Sequence, residues 1–215
     1  TFNNSKNNKI ENLIISYCSI KDFDKEGNYY DSYFEISSEK KNYTWFLISL
    51  DNKSPKKIKN NITILKKNNA EKYGFFFLLK KLVLTKKNLH CLSNSSIFTQ
   101  LVKKEFVKAF SNKLIKNVIV NYEGTPFQHG IIKAVKEINK KTNIICYLHC
   151  AGWPLQTELV YKEKIIDNLI VSGLDQKMKL IKYLGWPKKK ILLISSLRFC
   201  KKKKLLIWGF CFYSF

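Results

Sequence analysis

The chain is expected to be an α/β protein built on a mostly parallel sheet with helices on both faces. Three observations carry this. Between residues 117 and 194, short apolar runs of strand length alternate with amphipathic stretches of helical period. The runs NVIVN, NIICYL and NLIV are nearly continuous in large apolar residues, as strands covered on both faces are. Glycine and proline punctuate the joints at Gly124, Pro126, Gly173, Gly185 and Pro187.

The elements follow in order. Residues 1–11 are polar, rich in Asn and Lys, and read as a frayed lead-in. Residues 13–19, LIISYCS, make a first strand, and residues 22–31, with Gly27 and several charges, make a loop. TWFLISL at 44–50 is a strand closed by the turn-forming DNKSP, and NITIL at 61–65 is another. Residues 70–84 are long enough for a helix. Within them lies the most apolar internal piece, GFFFLLKKLVLT, which is split by Lys80 and Lys81 and is far shorter than the ~20 residues that cross a bilayer. Residues 98–110 place Leu101, Val102, Phe106, Val107 and Phe110 on one face of a helix.

The regular part begins with the strand at 117–121. Thr125 can cap a helix whose first turn holds Pro126, where a missing N–H costs nothing. Ile131, Ile132, Val135 and Ile138 form its inward face. Strands at 143–148 and 168–171 follow. A helix through LDQKMKLIKYLG then closes at Gly185 and Pro187, and a last strand covers 191–194. Residues 1–194 read as one domain. Residues 195–215 read as the start of an interdomain linker and an aberrant tail: four lysines lead into LLIWGFCFYSF, which has no assignable period and is the kind of sequence that a truncation or frame slip in a lysine-coding run produces.

The net charge of +23 invites a nucleic-acid reading, but Arg198 is the only arginine. Arginine grips phosphate and guanine edges bidentately, and lysine does not. A chain rich in Lys, Asn, Ile and Phe matches AT-rich codon usage, so the lysines are expected to be scattered and solvated and nucleic acid is not the expected partner. Peripheral contact with an anionic membrane is the alternative use of the charge. None of the six cysteines forms a C-x-x-C pair. Cys146 and Cys150 flank His149 in CYLHC, on a strand and its end, with no second ligand cluster. Free thiols in a reducing cytoplasm, and no metal, are expected. The first residues hold no basic stretch followed by an apolar run, so no leader peptide is expected and a cytoplasmic location is, at most peripheral to the inner membrane.

In open α/β sheets, ligands bind beyond the carboxyl ends of the strands. Glu123 and His149 follow two such ends and are expected to approach one crevice within ~10 Å of each other, because neighbouring strands lie ~4.8 Å apart. A carboxylate or an imidazole there can take a proton from an attacking hydroxyl. Gly124, Thr125, Gln128, His129 and Trp153 are the candidate substrate-binding residues around them; Gly124 also suits a tight turn, and Trp153 can stack on a sugar ring. The helix start near Pro126 offers free amides. Neither a G-x-G-x-x-G nor a G-x-x-x-x-G-K-[ST] motif is present, so no dinucleotide or P-loop cofactor site is expected.

Two blocks carry a family resemblance. YEGTPFQHGIIKAVKEINKKTNIICYLH at 122–149 resembles the (W/Y)EG-PFQ block of bacterial surface-carbohydrate biosynthesis proteins, a group similar to GT-B glycosyltransferases. LIVSGLDQKMKLIKYLGWPKKKILLISSLRF at 169–199 resembles that group's closing piece, where a helix ending in LGWP leads to an SLR(F/Y) linker. The resemblance covers roughly the last two fifths of the chain before the tail. It implies the acceptor-side half of two Rossmann-like domains, a nucleotide-sugar donor as substrate rather than cofactor, and a sugar or lipid-linked acceptor. It also implies no bound cation, and inactivity without the donor-binding domain. Competing expectations are a basic α/β module that binds nucleic acid or anionic lipid, and another sugar-nucleotide enzyme such as an epimerase or a glycerol-phosphate transferase.

Overall fold

A computed structural model of the 215-residue chain describes residues 9–51, 54–65, 94–149, 159 and 165–197. The apolar runs form strands β1 (Lys9–Cys18), β4 (Tyr43–Ser49), β5 (Ile62–Leu65), β6 (Leu114–Asn121), β7 (Asn143–Leu148), β8 (Asn168–Val171) and β9 (Ile191–Leu193). They join in one sheet of order β5-β4-β1-β6-β7-β8-β9, and every neighbouring pair is parallel. Two short strands, β2 (Tyr30–Asp31) and β3 (Ile36–Ser37), pair antiparallel as a separate hairpin. The described helices are α1 (Asn94–Phe110), α2 (Pro126–Ile138) and α3 (Leu174–Lys182).

The near-continuous apolar strands reflect burial on both faces. In β6, Val118 and Val120 point to one cluster and Ile119 to the other, and all three are at most 4% exposed. The first cluster takes Val102, Phe106 and Phe110 from α1, Ile131, Ile132 and Val135 from α2, and Leu180 from α3. The second takes Tyr29, Phe34 and Ile36 from the β2–β3 excursion, packed on Ile14, Trp45 and Tyr147 of the sheet. At the amino edge an asparagine ladder helps to fix register. Asn117 Nδ2 donates to Asn12 Oδ1 at 3.0 Å, and Asn143 Nδ2 donates to Asn117 Oδ1 at 3.3 Å.

The parallel α/β class therefore stands, with one difference in how the sheet is covered. Among the described residues the three helices share one face, and the other face is covered by the hairpin excursion. Right-handed crossovers explain the division. Connections running outward from β1 through β4 to β5 fall on one side of the sheet. The described helices of the connections running from β5 back past β1 and on to β9 fall on the other. The first connection is rich in turn formers, Asp24, Gly27, Asn28 and Asp31 among them, and lacks a helical period. It therefore covers its face as a hairpin. The helix expected over 70–84 lies outside the described residues. Among the described residues no helix is long and apolar enough to cross a membrane.

With the hairpin strands set aside, the chain fills the sheet outward from β1 in one direction, then jumps back to β6 and fills it in the other. The strand order thus reverses between β1 and β6, and the loops leaving their carboxyl ends diverge there to open a crevice.

Candidate active site at the carboxyl edge of the sheet

Glu123 and His149 meet beside this reversal, just past the ends of β6 and β7. β6 ends at Asn121, and Gly124, at φ +79°, turns the chain sharply into α2 in a conformation that glycine adopts without strain. Thr125 occupies the N-cap position with Pro126 at the start of the helix, but the cap is made differently from expectation. The Thr125 hydroxyl is buried and makes no hydrogen bond among the described residues. The work is done by Gln128. Its Oε1 accepts from the amides of Glu123 at 2.9 Å and Thr125 at 3.1 Å, and its Nε2 donates to the Asn121 carbonyl at 2.7 Å. A longer contact of 3.4 Å reaches the Tyr17 hydroxyl at the end of β1.

Gln128 is only 1% exposed. It is a clamp that ties strand end, turn and helix together, and its amide faces the protein backbone rather than the crevice, where a substrate contact was expected. His129 likewise turns back on its own loop. Its Nε2 lies 2.9 Å from the Gly124 carbonyl, which requires the proton on that nitrogen, and its ring stands edge-on to Tyr122 at 5.9 Å.

The clamp leaves Glu123 directed at the neighbouring strand end. Glu123 Oε1 lies 3.5 Å from His149 Nε2, with the carboxylate side chain 29% exposed and the imidazole 6% exposed. That separation is long for a hydrogen bond and short enough for one to form with a small rotation. Partial burial raises the Glu123 pKa above the usual carboxylate range, since desolvation penalises the charged form. The pair thus combines a carboxyl group tuned toward proton transfer with a sheltered imidazole beside it.

The rest of the crevice comes from the part of the chain in which sequence reasoning found no site. The Tyr33 ring stands edge-on against His149 at 4.6 Å, and Tyr17 lies 6.5 Å from Tyr33 and 6.1 Å from Phe127. Beyond them a cavity of about 280 Å³ opens over the ends of β1 and β4, lined by Tyr17, Ser19, Lys21, Asp22, Tyr33 and Asp51 among others. Tyr33 belongs to both, lining the cavity and meeting His149. Asp51 Oδ2 accepts from the Ser19 hydroxyl at 2.8 Å and the Ile20 amide at 2.6 Å, and Asp22 accepts from the Ser19 amide at 2.7 Å. Cys18 also lines this cavity. Burial and the nearby carboxylates push its thiol pKa up to about 12, so it is no nucleophile at neutral pH. Tyr17 could have been found only by knowing that β1 adjoins β6, and Tyr33 only by knowing that the β2–β3 hairpin folds over the end of β7, and no local pattern records either.

Trp153 lies outside the described residues. Among the described residues no group of three or more His, Cys, Asp or Glu side chains is arranged to hold a metal ion.

No protein-family model matches this chain, and no curated protein matches it. Among solved structures it is similar to a glycosyltransferase from Rickettsia africae ESF-5, with 12% sequence identity and a TM-score of 0.43. The similarity covers 86% of this chain and 43% of that one, so the chain spans less than half of its neighbour's length. A likeness this distant carries no argument about chemistry.

Proposed function

We propose that this chain is the acceptor-side domain of a glycosyltransferase-like enzyme of cell-surface carbohydrate assembly, with Glu123 as general base and His149 as its partner. The observation that carries the reading is the meeting of these two side chains, 3.5 Å apart, at the carboxyl edge of the sheet beside the point where the strand order reverses. The resemblance of residues 122–149 and 169–199 to surface-carbohydrate proteins supports the substrate class.

In the proposed reaction an acceptor hydroxyl attacks the anomeric carbon of a nucleotide-sugar. A C–O bond forms to the acceptor, the bond to the nucleoside diphosphate breaks, and the hydroxyl proton passes to the Glu123 carboxylate. Glu123 is the better base of the two because it is the more exposed and can reach an acceptor, whereas His149 is nearly enclosed. His149 would share the proton from behind. Gln128 contributes by holding the turn that aims Glu123. Tyr17 and Tyr33 offer ring faces and hydroxyls of the kind that sugars stack on and bond to. The acceptor is proposed to be a sugar or lipid-linked sugar.

The test is sugar transfer by a preparation containing both the donor- and acceptor-side domains. Glu123→Gln should leave the fold intact and lower turnover by ~10²–10⁴-fold, since an amide cannot accept the proton. Near-normal turnover in that variant would remove Glu123 from the mechanism.

A further inference from the structure

We infer that Asp31 is a positioning residue for the Glu123–His149 pair, acting through Tyr33. The inference rests on the reading of that pair as the site of proton transfer, and the test below keeps the two separable.

Asp31 sits at the end of β2 and is fully buried. Its Oδ1 accepts from the amides of Tyr33 and Phe34, both at 2.8 Å. Those two bonds fold the hairpin turn back over the carboxylate and fix the direction in which residues 33 and 34 leave it. Their rings then land on the far side of the crevice: Tyr33 on His149, at 4.6 Å, and Phe34 on Tyr147, at 5.6 Å. One carboxyl oxygen therefore determines where two consecutive rings meet β7 and the residue that follows it.

The other oxygen favours the neutral acid. Asp31 Oδ2 lies 2.8 Å from the Tyr29 hydroxyl, and that hydroxyl lies 2.8 Å from the Tyr17 carbonyl. A phenol has one proton to donate. If Asp31 were ionised, one of these two contacts would set oxygen lone pairs against each other. If Asp31 is a neutral acid, Oδ2–H donates to Tyr29, Tyr29 donates to the Tyr17 carbonyl, and both contacts are hydrogen bonds. Burial favours the same form, and it outweighs the amides of Tyr33 and Phe34, which favour the anion. The other titratable groups facing Asp31 are Tyr29 and Cys18, each held in its neutral form chiefly by burial. Among the described residues no lysine pairs with Asp31. The result is a relay of backbone and ring contacts from β2 through Tyr33 to His149, with its upper end on Tyr17 at the mouth of β1.

The experiment is proton NMR of the imidazoles in the intact 215-residue chain, with the His149 resonance assigned by its loss in His149→Ala. Asp31→Asn keeps an acceptor for the amides of Tyr33 and Phe34 and places a donor toward Tyr29. It should preserve the cross-peak between the Tyr33 and His149 rings and leave the His149 titration midpoint where it is in the parent. Asp31→Ala should lose the cross-peak and move the midpoint. Tyr33→Leu, which leaves Asp31 and its bonds in place, should move the midpoint in the same direction. A folded Asp31→Ala variant with cross-peak and midpoint unchanged overturns the inference. An unchanged midpoint in Tyr33→Leu overturns it as well, and this arm remains available if Asp31→Ala does not fold. So does an Asp31→Asn variant that behaves like Asp31→Ala, because the neutral scaffold would then be insufficient. If these shifts appear while Glu123→Gln retains sugar transfer, the positioning relay stands and the reading of Glu123 as base falls.

Discussion

At the scale of single residues, the site depends on buried polar side chains whose partners are backbone groups. Gln128 engages two amides and a carbonyl of the turn that carries Glu123. Truncation to Ala would strand these buried groups, and each stranded group costs on the order of 1–3 kcal/mol. Partial rescue by water should hold the total near 3 kcal/mol, which for a chain of this size lowers Tm by roughly 6–12 °C. A Tm within about 2 °C of the parent would mean that the turn holds itself.

Asp31 makes a second claim at this scale, about pH. Its folded pKa is raised, so the acid form is the one the fold prefers. Its contribution to stability is complete below the unfolded carboxyl pKa of about 3.9 and is lost as pH rises through the folded value. Glu123, also raised, acts in the same sense, and Asp24 and Asp51, both lowered, act in the opposite one. The difference between parent and Asp31→Asn isolates the residue. Urea midpoints measured from pH 4 upward should show the parent losing stability relative to the Asn variant. Parallel curves would mean that Asp31 titrates normally.

At the scale of elements, what could be read in the sequence and what could not have separate causes. The seven strands of the sheet and the three described helices announce themselves because a buried parallel strand is an apolar run and an amphipathic helix is a period. Both signals lie within a dozen residues of chain. Boundaries were blurred at the polar ends. β6 begins at Leu114, ahead of the apolar run at 117, and α1 begins at Asn94, ahead of Phe98. The hairpin β2–β3 was invisible, because strands of two residues carry no alternation to detect. That omission mattered most, since this hairpin delivers Tyr33 to His149. The pairing of Glu123 with His149 was legible because both follow strand ends that are consecutive in the chain and adjacent in the sheet. Tyr17 was not, since β1 reaches β6 only by a return past two intervening strands.

The hairpin excursion is held over the sheet by a close backbone contact that supplies its own test. Gly27 has φ +85°, and a Cβ built there would lie 2.7 Å from the Lys57 carbonyl carbon and 2.9 Å from the Ile58 amide nitrogen. Its amide also bonds to Asp24, and its carbonyl receives the Lys59 amide. Any side chain must both adopt the left-handed region and push the 54–61 segment away. Gly27→Ala should therefore cost about 2–4 kcal/mol, combining the left-handed penalty with overpacking against backbone that cannot rotate aside. Denaturant unfolding measures this directly, and a loss below about 1 kcal/mol would show the two segments free to separate.

At the scale of the whole molecule the dominant physical fact is the imbalance of 39 Lys and Arg against 16 Asp and Glu. The described acids are used locally. Glu137, Glu11 and Asp167 pair with Lys103, Lys116 and Lys136 on separate elements, while Asp22 and Asp51 bind backbone at the cavity. The cavity itself sets one lysine against two aspartates, so it is not a basic channel for a polyanion. If the lysines are scattered, as the sequence leads one to expect, the excess positive charge is a distributed self-repulsion that opposes the compact state. Sodium chloride screens such repulsion over a Debye length that shrinks from about 30 Å at 0.01 M to about 10 Å at 0.1 M. The exposed ion pairs, each contributing well under about 1 kcal/mol, lose less than the lysines gain. The urea midpoint should therefore rise with sodium chloride across this range and level off above it. Short single-stranded DNA added at 0.1 M salt should raise it no further. A midpoint that falls with salt would show that attraction outweighs repulsion across the surface. A saturable, salt-sensitive stabilisation by the oligonucleotide would instead mean that the lysines gather into a phosphate-binding face, and would count against a sugar as the ligand of this domain.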